Sequence, residues 1–230
     1  MPRLETRKEQ LLSCIVREHM TTADTIASDA LKTKYGLDVS PATVRNEMAA
    51  LEKAGYLHQP HTSAGRVPTE KAYRYYTDYC MTEQNVSKDL RGLHETLSKV
   101  DTEEMETCLK HLAKELANKI EEGIFVGFSS ESFYYTGLSY LFEQPEFESV
   151  DLVRQVSEIV DNLDRVVADL FERIEPGVHV FIGSDSPFGS QCSTILLRGS
   201  KQPLFGVLGP VRMNYDRNVA IMKGLERLLM

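Results

Sequence analysis

The 230-residue sequence predicts an α+β chain: a winged helix-turn-helix over residues 1–80, a helical stretch over 81–122, and a second domain over 123–230 in which helices flank an antiparallel sheet. Three observations predict it. Capping residues and glycines punctuate three helical segments before residue 56. Two short strand-like runs then flank a polar turn at 62–65. After residue 123, strand-like runs alternate with helical stripes.

Thr6 and Glu9 are spaced as a capping box ahead of Leu11, Leu12, Ile15 and Val16, so a first helix is expected to run to about His19. Ser28 caps a second over Ala30, Leu31 and Tyr35, with Gly36 as its stop. Ser40 followed by Pro41 opens a third, because serine caps and proline fits the first helical position without losing a bond; Gly55 closes it. Residues 56–60 and 66–67 read as short strands. On a helical wheel Val44, Met48 and Leu51 share the core side, and Ala42, Asn46, Ala49 and Lys53 lie opposite, with Arg45 on the flank. Alanines keep that surface low enough for base edges to approach, while Thr43, Arg45 and Asn46 supply groups suited to the major groove. His61, Thr62, Ser63 and Arg66 would reach phosphate or the adjacent minor groove. The competing reading is a helical bundle with an ordinary solvated face and turn.

Residues 86–100 and 102–120 read as amphipathic helices, with Leu90, Leu93, Leu97 and Val100, then Met105, Leu109, Leu112 and Leu116, at heptad-like spacing. They form either a dimer seam or a layer on their own sheet. Residues 124–129 read as a buried strand. The stripe Val153, Val156, Val160, Leu163, Val167, Leu170 and Ile174, interrupted by the capping residues Asp161 and Asn162, predicts two helices in tandem, ended by Pro176-Gly177. Strands follow at 178–183, 191–198 and 204–208, the last two joined through Gly199 and Ser200, then a helix at 218–229. An antiparallel sheet with helices on one side is expected.

Lys and Arg number 26 against 34 Asp and Glu. Residues 1–80 hold 11 and 10 of these, and residues 81–230 hold 15 and 24, so the acidity sits in the second part. Nucleic-acid binding would therefore be confined to the N-terminal segment and would weaken with salt. No run is long enough to span a bilayer, and the start, MPRLETRKEQ, lacks the apolar stretch of a secretory signal, which points to a cytoplasmic chain without membrane contact. Cys14, Cys80, Cys108 and Cys192 form no C-x-x-C pair and read as reduced thiols. His58 and His61, like Cys108 and His111, are three apart, a weak metal signal. "GSDSPFG" at 183–189 lacks the lysine of a P-loop and reads as a plain loop. There is no nucleophile elbow, so no catalytic, cofactor or metal residues are assigned and no enzyme is expected. Arg212 either pins a strand end to an acidic group or faces a partner.

The run "GLDVSPATVRNEMAALEKAGYLHQPHTSAGRVPTEKAYRYYTDY" at 36–79 resembles the N-terminal signature of the heat-inducible transcription repressor HrcA family. "GLSYLFEQPEF" at 137–147, "VHVFIGSDSPF" at 178–188 and "FGVLGPVRMNYDR" at 205–217 are similar to that family's C-terminal motifs, in order. The resemblance implies a repressor of chaperone genes that binds an inverted-repeat operator, CIRCE, as a homodimer, with a GAF-like second domain and the chaperonin GroEL as modulator. It places Thr43, Arg45 and Asn46 in a recognition helix and His61, Ser63, Gly65 and Arg66 in a wing. The full candidate contact set is Ser40, Ala42, Thr43, Arg45, Asn46, Ala49, Lys53, His61, Thr62, Ser63, Gly65 and Arg66. The family's inserted dimerisation domain has no room here, since only residues 131–136 separate "IFVGFSS" from "GLSYLFEQ". A different class of function, a small-molecule sensor or enzyme whose winged helix serves as a protein-interaction module, would call for an apolar face where "SPATVRN" and "HTSAGR" are polar.

Overall fold

The computed structural model describes residues 1–230 except 37–39, 63, 83, 99–104, 149–153, 155–156, 159–160, 200–202 and 230. The chain divides into two units, Met1–Thr82 and Glu83–Met230.

In the first unit, α1 (Thr6–Thr22) buries Leu11, Leu12, Ile15 and Val16 and ends where Ala23 turns left-handed. The capping box expected from Thr6 and Glu9 does not form. Glu5 occupies the cap position without a side-chain bond, and Glu9 is drawn away to the Tyr75 hydroxyl (2.5 Å) and Arg3 Nε (3.2 Å). The helix also runs a turn past His19. α2 (Ser28–Tyr35) stops at Gly36, whose φ of 59° favours glycine. α3 (Pro41–Lys53) is followed by a hairpin of β1 (Leu57–His58) and β2 (Val67–Pro68), shorter than the sequence suggested and paired Leu57 to Pro68 and His58 to Val67. α4 (Glu70–Tyr79) fills the core with Tyr73, Tyr75 and Tyr76. Buried phenols need partners for their hydroxyls: Tyr75 donates to Glu9, Tyr76 accepts from Arg17 Nε (2.9 Å), and Tyr73 meets His19 Nδ1 (2.6 Å).

In the second unit, α5 (Ser87–Leu97) and α6 (Met105–Ile120) precede β3 (Gly123–Gly127), β4 (Phe133–Thr136), α7 (Leu138–Phe142), α8 (Leu163–Arg173), β5 (Gly177–Ile182), β6 (Cys192–Arg198), β7 (Leu204–Pro210) and α9 (Tyr215–Leu229). The strands form one antiparallel sheet in the order β4-β3-β7-β6-β5. Side chains alternate between faces along a strand. Leu196 of β6 joins Phe125, Leu208 and the α8 residues Leu163, Val167 and Leu170 in one cluster, whereas Ser193, three residues earlier on β6, accepts from the α9 hydroxyl of Tyr215 at 2.8 Å. Helices therefore cover both faces, where the sequence suggested one. The leucine stripes are used inside this unit: Leu93, Leu109, Leu112 and Leu116 are buried, α5 packs on α6 and α9, and α6 packs on β3. The tandem-helix stripe falls largely outside the described residues before position 161; its later part is α8.

Residues 183–189 plug the core: Ser186 Oγ meets Thr194 Oγ1 at 2.9 Å, and Phe188 lies 5.2 Å from the Phe125 ring. Arg212, 11 % exposed, donates Nε to Glu146 and Nη2 to Gln144 Oε1 at 2.7 Å, so it pins the end of β7. All four cysteines are free thiols; Cys108 and Cys192 are buried, and burial pushes the Cys192 thiol up to about 12. Among the described residues no helix is long and apolar enough to cross a membrane.

Candidate nucleic-acid interface

Ser40 Oγ accepts from the Thr43 amide at 3.1 Å, satisfying an amide that the first turn leaves without a helical partner, and Pro41 enters at a position where its missing N–H costs nothing. The inner stripe follows as the wheel requires. Val44, Met48 and Leu51 are each 1 % exposed, worth about 2 kcal/mol apiece by transfer of apolar area. Gly55, with φ of 79°, turns the chain out of the helix toward β1.

With that stripe anchored, Ala42, Arg45, Asn46, Ala49 and Lys53 are all exposed. Among the described residues the Arg45, Asn46 and Lys53 side chains have no hydrogen-bond or ionic partner. Small methyls beside donors make a surface that a groove floor can approach closely. Thr43 is half-buried and its hydroxyl lies 2.9 Å from Ser40 Oγ, so both hydroxyls serve the cap as well as the surface.

The hairpin tip presents His61 and Thr62 to solvent; Ser63 lies outside the described residues. Gln59 braces the tip from inside, its Nε2 donating to the carbonyls of Thr62 (3.1 Å) and Ala64 (2.9 Å). Gly65 and Arg66 belong to the hairpin's base. A Cβ at Gly65 would stand 2.6 Å from the backbone of Ile26, which leaves room for glycine alone. Arg66 and Ile26 exchange backbone hydrogen bonds at 2.9 Å in both directions, and Arg66 Nε donates to Glu52 Oε2 at 2.8 Å.

Sequence reasoning missed three members of this framework. Gln59 carries no local signal. Glu52, fourteen residues before its partner, carries none either. Glu47 was detectable: it shares the inner stripe with Val44 and Met48, and a carboxylate there requires a partner. It is 7 % exposed and accepts from Arg7 Nε of α1.

A family model described as "HrcA protein C terminal domain" matches residues 78–219. The chain belongs to the HrcA family. A relative named heat-inducible transcription repressor HrcA, from Carboxydothermus hydrogenoformans, is 27% identical across 98% of this chain and 97% of its own length. That alignment runs over 332 positions against 230 residues here, so this HrcA relative carries a substantial length without counterpart. The HrcA of Pelotomaculum thermopropionicum is 52% identical over 87 residues, 38% of this chain and 25% of its own, and that of Desulfitobacterium hafniense 30% over 176 residues, 74% and 51%. Against these two the chain thus spans a quarter to about half of the relative's length. The fold is shared with a crystal structure titled as a hypothetical protein, with a TM-score of 0.74 and 18% identity over 98% of both chains.

Proposed function

We propose that this HrcA-family chain is a DNA-binding transcription repressor of chaperone genes, with the first unit acting as a winged helix-turn-helix and the second, GAF-like, unit supporting a homodimer on an inverted-repeat operator of the CIRCE type. The observation that carries the reading is the outer face of α3, where Arg45, Asn46 and Lys53 stand among flush alanines without partners among the described residues, in the same unit as the exposed His61 and Thr62. An unpaired guanidinium and amide on a helix of this shape match the edges of guanine and adenine in the major groove. Names of the relatives as heat-inducible transcription repressors support the same direction. On this reading the chain works in the cytoplasm, takes no cofactor, and its modulation by the chaperonin GroEL is open to direct pull-down.

The test is DNA protection with the full chain on fragments from upstream of the source organism's chaperone genes. A protected inverted repeat, with the two half-sites about one helical turn apart or a multiple of it, is the expected result. Uniform, sequence-blind protection, or none at moderate salt, removes the reading.

A further inference from the structure

Arg66 looks from its sequence context like a phosphate contact: a cation in a polar hairpin beside a reading helix. Its surroundings say otherwise. The side chain is only 16 % exposed, and its Nε is spent on Glu52, a carboxylate of α3 that is itself 32 % exposed. Its backbone is fastened on both sides to Ile26, between α1 and α2, and Gly65 beside it is pressed onto the same residue. One residue therefore ties together the segment after α1, the base of the hairpin and the reading helix. A phosphate brought to that guanidinium would also approach the Glu52 carboxylate, and a pair already neutralised releases no counterion.

Resting on the DNA-binding reading, we infer that Arg66 is a positioning residue: through Glu52 it sets the distance between the hairpin tip and the face of α3, and it is not itself a phosphate ligand. The tip residues His61 and Thr62 then arrive on the duplex at a fixed offset from Arg45 and Asn46, which makes the two contacts one preorganised unit.

The two roles predict opposite signs. A phosphate ligand next to a carboxylate binds better once the carboxylate is neutralised; a positioning pair loses function when either member is removed. The experiment uses the full-length chain and a labelled duplex from upstream of the source organism's chaperone genes, titrated across a salt series. The variants are Glu52→Gln, Arg66→Gln, the double variant, and Lys53→Gln as a comparator on the exposed face.

Positioning predicts that Glu52→Gln and Arg66→Gln each weaken binding by about threefold to tenfold, that the double variant is no weaker than either, and that the slope of log K against log salt stays at the wild-type value. Lys53→Gln reduces that slope by about 0.9 if its ammonium meets a phosphate. Tighter binding by Glu52→Gln, or a slope lowered by about 0.9 in Arg66→Gln, overturns the inference while leaving the DNA reading intact. A wild-type chain that binds no duplex overturns both. Should Arg66→Gln not fold, the direction of the Glu52→Gln effect decides alone.

Discussion

On the outer face of α3, Ala42, Arg45, Asn46, Ala49 and Lys53 are exposed, and the three polar ones have no described partner. On β6 and β7, every residue from Cys192 to Leu197 and from Leu204 to Pro210 is buried. The helix face contributes little to folding and stays available to a ligand. The central strands are closed on both faces, and their cross-strand fits are tight enough that Phe125 lies over Gly206, its register partner. The difference teaches where each kind of substitution acts: on the face it spares stability and, on the proposed function, changes recognition, and in the sheet it changes stability before anything else.

The largest expected effect breaks the closed side. A Cβ at position 206 would lie 2.0 Å from the Phe125 ring, and that ring is held against Phe188 at 5.2 Å. Gly206→Ala should destabilise the chain by about 3 kcal/mol or more in denaturant unfolding, and Phe125→Leu in the same chain should recover part of the loss. Unchanged stability in Gly206→Ala would mean that the sheet is looser than its geometry.

Glu122 is 6 % exposed, its Oε2 is buried without a hydrogen-bond partner, and burial pushes its carboxyl from the ordinary 4.5 up to about 8 despite the pull of Arg212. Between those two values the folded chain keeps a proton that the unfolded chain releases. The stabilisation this gives is complete below about 4.5 and drains away as pH rises through about 8. Glu122→Gln keeps a neutral group of the same shape, so its advantage over the wild type should grow by roughly 1 kcal/mol per pH unit between about 4.5 and about 8 and vanish in acid. Parallel pH profiles for the two chains would count against a neutral Glu122.

The open side gives the smaller effect. Arg45→Ala should relax base preference at one operator position by about 1–3 kcal/mol while moving the unfolding midpoint by no more than about 0.5 kcal/mol. Selection from a randomised operator library reads the first quantity; a drop in stability as large as that of Gly206→Ala would erase the contrast between the two regions.

What the sequence disclosed follows the range of the forces involved. α3 was legible end to end because Ser40, Pro41 and Gly55 act within a few residues of themselves, and its inner stripe needs only a period of 3.6. The start of α1 was misread because the carboxylate that seemed to belong to a local box is claimed by Tyr75, 66 residues away. β4 was overlooked because "FYYT" is four residues at a sheet edge, too short for a period to register. The two-sided cover escaped for another reason: a helical stripe shows that one face is buried and is silent on which face of the sheet it meets. At the candidate interface the exposed residues of α3 were identifiable in advance. The role of Arg66 was not, since residue type and turn context are the same whether its partner is a phosphate or Glu52.

The distribution of thiols offers a practical handle. Cys108 and Cys192 are sealed inside the second unit, and Cys192 remains protonated throughout the range used for maleimide coupling, whereas the half-buried Cys14 and Cys80 both sit in the first unit. A fluorophore attached to the unmodified chain would thus label the α3-bearing half selectively, and its emission could follow duplex capture without any engineered cysteine.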